Sequence, residues 1–447
     1  MTPSLERLTE ALLTAAKRAG AEAADAIAVD GVATAIDIRA GKLEQAERSE
    51  GTELGLRVLV GKRQACVSVS DTSDTSIAAV AERAVAMARE APDDPHAGLA
   101  DPSQLAKGWD LARLELCDPS PEVDSAALEE DARRAESAAM AIAGITQVEA
   151  SAHQSRRRVH LAASNGFSGG YARSSRSISA VAFTGDGTGM ERDWAAEGRI
   201  YAADLPGAEE IGALAAARAM QRVGARKPKT GAFPVLYDER ISSGLIGHLL
   251  GAVNGSSIAR GSSWLRDALG QQVLPKGLSV IEDPHRIRTT GSRLFDGEGL
   301  PTARRAIVED GILTGWVLDL ATGRKLGMDS TANAARGLSA PPSPGTSNID
   351  LTQGTKSRAD LLADMGRGLL VTSLIGSSIN PTTGDYSRGA SGFWVENGQI
   401  THAVNECTIA GNLRDMLLRI TPANDARAHM STRVPSLLVE GLTLAGA

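Results

Sequence analysis

Aromatic side chains make up only 3% of this 447-residue chain, which carries 47 glycines. A core without many rings has to be assembled from Ala, Val, Leu and Ile, each of which buries little area. Such a core requires large sheets and helices that approach closely, and the glycines supply tight turns and close backbone contacts. The length exceeds what one core ordinarily serves, so two domains of roughly 200 residues are expected.

Bulk charge narrows the class. Hydrophobic residues at 42% and charged residues at 23% match a globular protein. A net charge of −7 and a pI near 5.6 leave no electrostatic footprint for nucleic acid. Cys66, Cys117 and Cys407 are widely spaced, which argues against a disulfide framework and a thiolate metal cluster. The opening "MTPSLERLTEALLTAAKRAG" places charges among its apolar positions and reads as an amphipathic helix, not a signal peptide. No run of about 18 uncharged apolar residues is present, so no membrane span is expected and the cytoplasm is the expected location.

Periodicity gives an α+β chain. Leu5, Leu8 and Leu12 have helical spacing, as do Ile77, Val80, Ala84 and Met87 before the stop at Pro92. Thr34, Ile36 and Ile38 alternate, as do Leu54 to Val60 and then Ala65, Val67 and Val69, giving an antiparallel sheet. A helix carrying Leu128, Ala132, Ala135, Ala139 and Ile142 is expected to close at Gly144. Strands are expected near 146–152, 157–163, 177–183 and 197–203, then a helix through Ile211, Leu214 and Ala215. "ARKPKTGAFP" at 225–234 marks the boundary between an N-terminal α+β domain, 1–227, and a C-terminal domain, 228–447. The second half carries hairpin signals at Asp310-Gly311 and Asn397-Gly398 around a Pro/Ser loop, "LSAPPSPGTSN". It reads as a mainly antiparallel sandwich or barrel with a few helices.

Candidate chemistry is thin. In "SSGLIGHLLGAVNG" at 242–255, His248 stands alone on an apolar helix. A zinc hydrolase needs two imidazoles a turn apart and a carboxylate base, and the residues after His248 supply neither. His153 and His160 are expected on neighbouring strands, and His285, His402, His96 and His429 are scattered. "TGDGTG" at 184–189 reads as a hairpin turn, because no helix follows to present its amide groups to a phosphate. "SRRRVH" at 155–160 reads as a basic strand face. "GFSGG" at 166–170 matches Gly-x-Ser-x-Gly, but an alternating segment follows Ser168 where a nucleophile elbow needs a helix. Cys407 sits in an alternating strand and reads as a small buried hydrophobe. The most distinctive stretch, "INPTTGDYSRGASGFWVENG" at 379–398, sets a structured turn through Asn380, Gly384 and Asp385.

Four blocks resemble the PmbA/TldE branch of the TldD/PmbA family: "GHLLGAVNGSSIARGSSWLRDALGQQVLP", "LDLATGRKLGMDSTANA", "INPTTGDYSRGASGFWVENGQI" and "CTIAGNLRDML". That family, once labelled a modulator of DNA gyrase, is classed with the metallopeptidases. The resemblance implies that two homologous subunits pair, a TldD-type chain carrying His-Glu-x-x-x-His and a distant cysteine as a zinc site. Anchored without gaps on "ARGSSW", the first histidine slot falls on Ile246, the glutamate on Gly247 and the second histidine on Gly251. Where the catalytic branch has its cysteine, this chain reads "MSTRVPSLL".

The resemblance therefore implies a non-catalytic subunit with no catalytic residue and no metal of its own. Zinc is expected in a TldD-like partner, and the complex is expected to cleave unfolded or short peptides. His248, Asn380, Asp385 and Arg388 are the candidates for shaping the cleft or interface, and a homodimer is the alternative in isolation. One competing reading is a peptidase with a divergent site drawn from His248, His285 or His402 and Cys407. Another is a gyrase-associated regulator.

Overall fold

The computed structural model describes residues 4–446. Ser4 opens α1 (Leu5–Ala19), its Oγ accepting the Arg7 N–H at 3.3 Å, and Leu8 and Leu12 are buried beneath the helix. The first three residues of the expected helix lie outside the described residues.

Six strands then form one antiparallel sheet: β1 (Ala23–Arg39), β2 (Lys42–Val60), β3 (Arg63–Val69), β4 (Ile145–Ala163), β5 (Ser168–Thr184) and β6 (Glu191–Arg199), in the order β3-β2-β1-β4-β5-β6. Side chains alternate across a strand, and β1 uses both faces. Its even-numbered residues Ala24, Ala26, Ala28, Ile36 and Ile38 lie under helices. These are α1 and α2 (Asp74–Glu90) at one end, and α3 (Ser125–Met140) and α4 (Ala208–Gln221) at the other. Ile27 and Val29 point the opposite way, into an apolar cluster that includes Leu294 and Phe295 of the second half.

The buried clusters under these helices contain no aromatic ring. Helix and sheet must therefore come very close. At Gly212 of α4 a Cβ would lie 1.9 Å from the Ala135 carbonyl oxygen of α3, so only glycine fits there.

Several expectations needed correction. The segments 146–152 and 157–163 are one strand, β4, because residues 153–156 between them keep the ladder with β1 and β5. His153 and His160 consequently share a strand. The helix expected to close at Gly144 ends at Met140 with Ala141 as its cap; Gly144, at φ 94°, turns the chain into β4. The strand expected at 197–203 instead spans Glu191–Arg199 and gives way to a single turn at 202–204. Met87 and Leu214 fall on the outer faces of their helices.

The second half begins with β7 (Gly231–Tyr237), α5 (Glu239–Ala252) and α6 (Gly255–Ala259). Short strands β8 (Val280–Glu282), β9 (Arg305–Glu309), β10 (Ile312–Leu313), β11 (Ala334–Ala335), β12 (Ser343–Pro344) and β13 (Ile349–Leu351) follow, with α7 (Leu320–Leu326) between β10 and β11. After α8 (Arg358–Met365) come the long strands β14 (Gly368–Ile379), β15 (Asp385–Glu396) and β16 (Gln399–Asn412). The chain finishes with α9 (Leu413–Leu417), β17 (Ile420–Pro422), β18 (Thr432–Arg433) and β19 (Leu437–Ala445).

The order β16-β15-β14-β7-β19 closes on itself because β16 also pairs with β19, which makes a five-stranded barrel. All its neighbours are antiparallel except β7 and β14. Both expected hairpins are present, with Asp310-Gly311 and Asn397-Gly398 all at positive φ as a type I′ turn requires. Tyr237, Trp264, Trp316, Tyr386 and Trp394 share the barrel's core cluster, while Trp109, Phe167, Tyr171 and Phe295 gather in the cluster on the other face of the six-stranded sheet. The architecture is α+β with a barrel-like second half. No described helix is long and apolar enough to cross a membrane.

Candidate functional site

Helix α5 lies against the barrel and carries His248. Its start is fixed by buried Asp238, whose Oδ1 accepts the Arg240 N–H at 3.2 Å. Leu245, Ile246, Leu249 and Ala252 make its buried stripe at helical spacing. The outer face is bare: Gly247 and Gly251 are exposed, and a Cβ at Gly244, Gly247 or Gly251 would meet nothing within 4 Å.

His248 sits at the border of the two faces and is half-buried. Its ring stands edge-on to Tyr386 of β15, with centroids 5.9 Å apart at 74°. Burial, and then the Arg388 guanidinium, hold the imidazole below its ordinary pKa, so it is neutral at pH 7. Behind it, the Tyr237 and Tyr386 hydroxyls and Arg388 Nε are buried and make no hydrogen bond of ordinary geometry among the described residues. Burial beside the Tyr386 phenol pushes the Tyr237 hydroxyl well above its usual range. The result is one neutral imidazole, two buried phenols and a guanidinium where α5 meets the barrel.

The turn at 379–385 is held differently. Asn380 Oδ1 accepts the Thr382 and Thr383 N–H groups at 2.9 and 3.2 Å. Asp385 accepts from Thr383 Oγ1 at 2.6 Å and from Asn412 Nδ2 at 3.1 Å, and those bonds hold its carboxyl below the usual range. The Trp264 N–H donates to the Pro381 carbonyl at 2.8 Å, and the Leu413 N–H to that of Gly384 at 2.8 Å. Asn380 and Asp385 thus spend their oxygens tying the turn together, while Arg388 turns toward His248.

The four blocks singled out in the sequence pack on one another. The α5–α6 segment bonds to the chain before α7 through Gly255 N–H to the Val317 carbonyl at 2.8 Å and Val317 N–H to that of Val253 at 3.0 Å. At Gly255 a Cβ would lie 2.7 Å from Leu318 and Thr322 side-chain atoms, so this crossing requires glycine. The "MSTRVPSLL" segment reaches the same helix, Ser242 Oγ donating to the Val434 carbonyl at 3.3 Å.

In the ungapped register the three slots fall on α5 at Ile246, Gly247 and Gly251, none of which carries a metal-binding group. Ile246 is fully buried in the core while Gly247 and Gly251 lie on the exposed face. The donors around His248 do not suit zinc, which takes thiolate, imidazole or carboxylate ligands and not a guanidinium. Among the described residues no three His, Cys, Asp or Glu side chains gather as a metal site. His285 bonds Thr302 at 3.2 Å and His402 bonds its neighbour Thr401 at 3.0 Å, so they do not join His248. Cys407 is buried with Sγ 3.2 Å from the Ala390 carbonyl, and burial pushes its thiol up to about 11, which makes it a poor thiolate donor.

Ser168 opens β5 and does not sit on a strand-to-helix turn. Its Oγ lies 3.3 Å from His160 Nε2, and His160 Nδ1 lies 2.9 Å from Thr9 Oγ1, so a hydroxyl stands where a triad has a carboxylate. Tyr237 and Tyr386 were not legible as site residues from spacing. The available signal was Tyr237, one of only four tyrosines, closing the otherwise apolar "GAFPVLY", where a polar tip needs a reason.

Comparison with known proteins covers nearly the whole chain. Residues 24–88 match the PmbA/TldA metallopeptidase domain 1, residues 118–223 the central domain and residues 230–446 the C-terminal domain. Metalloprotease PmbA of Escherichia coli is 37% identical over 98% of this chain and 96% of its own. The Metalloprotease PmbA homolog of Haemophilus influenzae is 35% identical over 96% and 94%. A Bacteroides thetaiotaomicron structure described as a candidate modulator of DNA gyrase superposes at TM-score 0.92 with 27% identity, covering 99% of both chains. TldE from Thermococcus kodakarensis superposes at 0.85 over 98% of this chain and 100% of its own; at 19% identity that likeness speaks to the fold alone. With its three domain matches, full-length relatives and shared fold, the chain belongs to the PmbA/TldD metallopeptidase family.

Proposed function

We infer that this chain acts as the non-catalytic subunit of a zinc metallopeptidase complex that cleaves unfolded or short peptides. The observation carrying this reading is the surround of α5. The blocks that mark the family pack together there, yet the helix offers one neutral imidazole facing two phenols and a guanidinium. Zinc bound through a single imidazole loses most of its binding energy, and without a carboxylate its water has no base. The zinc and the base would come from a homologous partner carrying His-Glu-x-x-x-His.

The bare outer face of α5 is where another backbone or an extended peptide can come close. Gly247 and Gly251 leave the helix backbone accessible, and His248 and Arg388 stand at its margin. In this reading the chain walls a chamber around the partner's zinc, excludes bulk water and admits only chains without folded structure.

The test is reconstitution. The purified chain alone should hold no stoichiometric zinc and cleave no unstructured peptide, and adding it to its zinc-bearing homologue should raise that protein's peptidase rate by at least tenfold. Equal activity with and without this chain, or zinc and amide hydrolysis in this chain by itself, overturns the reading.

A further inference from the structure

A second polar site lies about the junction of the two halves, remote in sequence from α5. A cavity of about 200 Å³ opens between β1, β4 and β5 on one side and residues 293–297 and 334–336 on the other. Ile27, Val159, Leu161 and Phe295 give it apolar walls, while Tyr171, Arg293, Asp296 and Arg336 supply its polar lining, the Asp296 oxygens being taken by backbone N–H groups. A cavity on the order of 150 Å³ holds a benzene-sized group, so this one accommodates a small branched side chain with one polar head.

The charges around it do not balance. Arg57, Arg293 and Arg336 bring three guanidiniums. Against them stand Asp25, gripped by Arg57 and Arg336, and Asp296, whose oxygens accept the Glu298, Leu300 and Ala334 N–H groups at 2.9 to 3.0 Å. Glu298 does not cancel the remaining charge, because burial and then Asp296 raise its carboxyl to about 8 and keep it protonated at neutral pH. Arg173 adds to the excess: it stacks over Tyr171 at 4.8 Å and donates to the Thr290 and Ser292 carbonyls.

Two guanidinium donors in the lining are unused. The Arg336 side chain is 1% exposed and its Nη2 has no partner among the described residues; the Arg293 Nε is likewise buried without one among them. Arg293 spends its Nη2 on the Gly345 carbonyl at 2.7 Å, and Arg336 its Nη1 on that of Ala340 at 2.7 Å. A buried donor without a partner costs about 1 to 3 kcal/mol, more when charged, so both favour an acceptor that enters beside them.

We propose that this interdomain cavity binds a small carboxylate with an apolar body, its oxygens taken by Arg293 and Arg336 and its hydrocarbon part by Ile27, Val159, Leu161 and Phe295. The same chemistry is presented by the C-terminal end of a peptide with an apolar last residue and by a free branched carboxylic acid. The site is independent of the subunit role inferred above.

The test uses the full chain with four probes: 4-methylpentanoate, 4-methylpentanamide, the dipeptide Ala-Leu and its C-terminal amide, each titrated by calorimetry and by ligand-observed NMR. At least one carboxylate should bind with a Kd below about 1 mM, and its matching amide at least tenfold more weakly; whichever carboxylate binds tighter names the source. Arg293→Gln should weaken that carboxylate at least tenfold. Val159→Phe, which adds bulk to the wall without touching a charge, should do the same with the Tm within a few degrees of the parent, so the test survives even if the arginine variant fails to fold. Equal binding of acid and amide, no binding of either acid up to 10 mM, or binding undiminished in Val159→Phe overturns the proposal.

Discussion

Arg336 Nε lies 2.8 Å from Asp25 Oδ1, joining a loop of the second half to the first long strand of the sheet across 311 positions of sequence. Arg57 holds the other oxygen, and the Asp25 and Arg336 side chains are 5% and 1% exposed. Burial alone would raise the Asp25 pKa, but the two guanidiniums outweigh it and hold the carboxyl below its ordinary range.

Removing that carboxylate strands two buried cations. Asp25→Asn is expected to destabilise the chain by about 3 to 5 kcal/mol, the scale for breaking a buried pair, read as a lower urea midpoint at unchanged slope. Because the folded pKa lies below the unfolded one, the stabilisation is present above the unfolded value near 4 and is lost as pH falls through the folded value. The variant's deficit should therefore shrink on acidification below pH 4. A midpoint unchanged at pH 7 would refute the assignment.

Glu298 has the opposite sign. Its carboxyl titrates near 4.5 when free and about 8 when folded, so the folded state holds an extra proton across that window. Stability contributed by this group is full below pH 4.5 and lost progressively as pH rises through about 8. Glu298→Gln keeps an acceptor for the Leu320 N–H, now at 2.9 Å, and should flatten the fall in Tm between pH 6 and 9. A parent-like decline in the variant would count against it.

At Gly212 the α3–α4 approach leaves no room for one methyl group. Gly212→Ala gains roughly 1 kcal/mol of helix propensity but forces the helices apart, and overpacking of this kind costs about 1 to 3 kcal/mol. The net expectation is a lower Tm, with Gly244→Ala, inside α5 and meeting nothing within 4 Å, as the tolerant control. A Tm equal to or above that of the parent would sink the close-packing account.

On α5 the same substitution should help. Gly247→Ala meets open space and should stabilise the isolated chain by about 0.5 to 1 kcal/mol. Gly247→Trp should leave the isolated fold intact, with the Tm within a few degrees, yet cut the peptidase activity reconstituted with a zinc-bearing partner by tenfold or more. Undiminished activity would remove α5 from the proposed contact face.

The sequence by itself determined the α+β class, the two type I′ hairpins and most helical stripes, because periodicity, caps and Asn-Gly or Asp-Gly turns are local properties. It also determined how closely the helices had to pack, since Ala and Gly admit no other core. It misjudged β4 as two strands, since the polar residues 153–156 carry no apolar alternation, and only pairing with β1 and β5 extends the ladder through them. Only the tertiary structure closed the barrel through β16 and β19, set Tyr237 and Tyr386 behind His248, and gathered Arg293 and Arg336 beside Ile27 and Val159. Those meetings join residues far apart in the chain, and they are decided by register and burial across the whole fold, which no local pattern encodes.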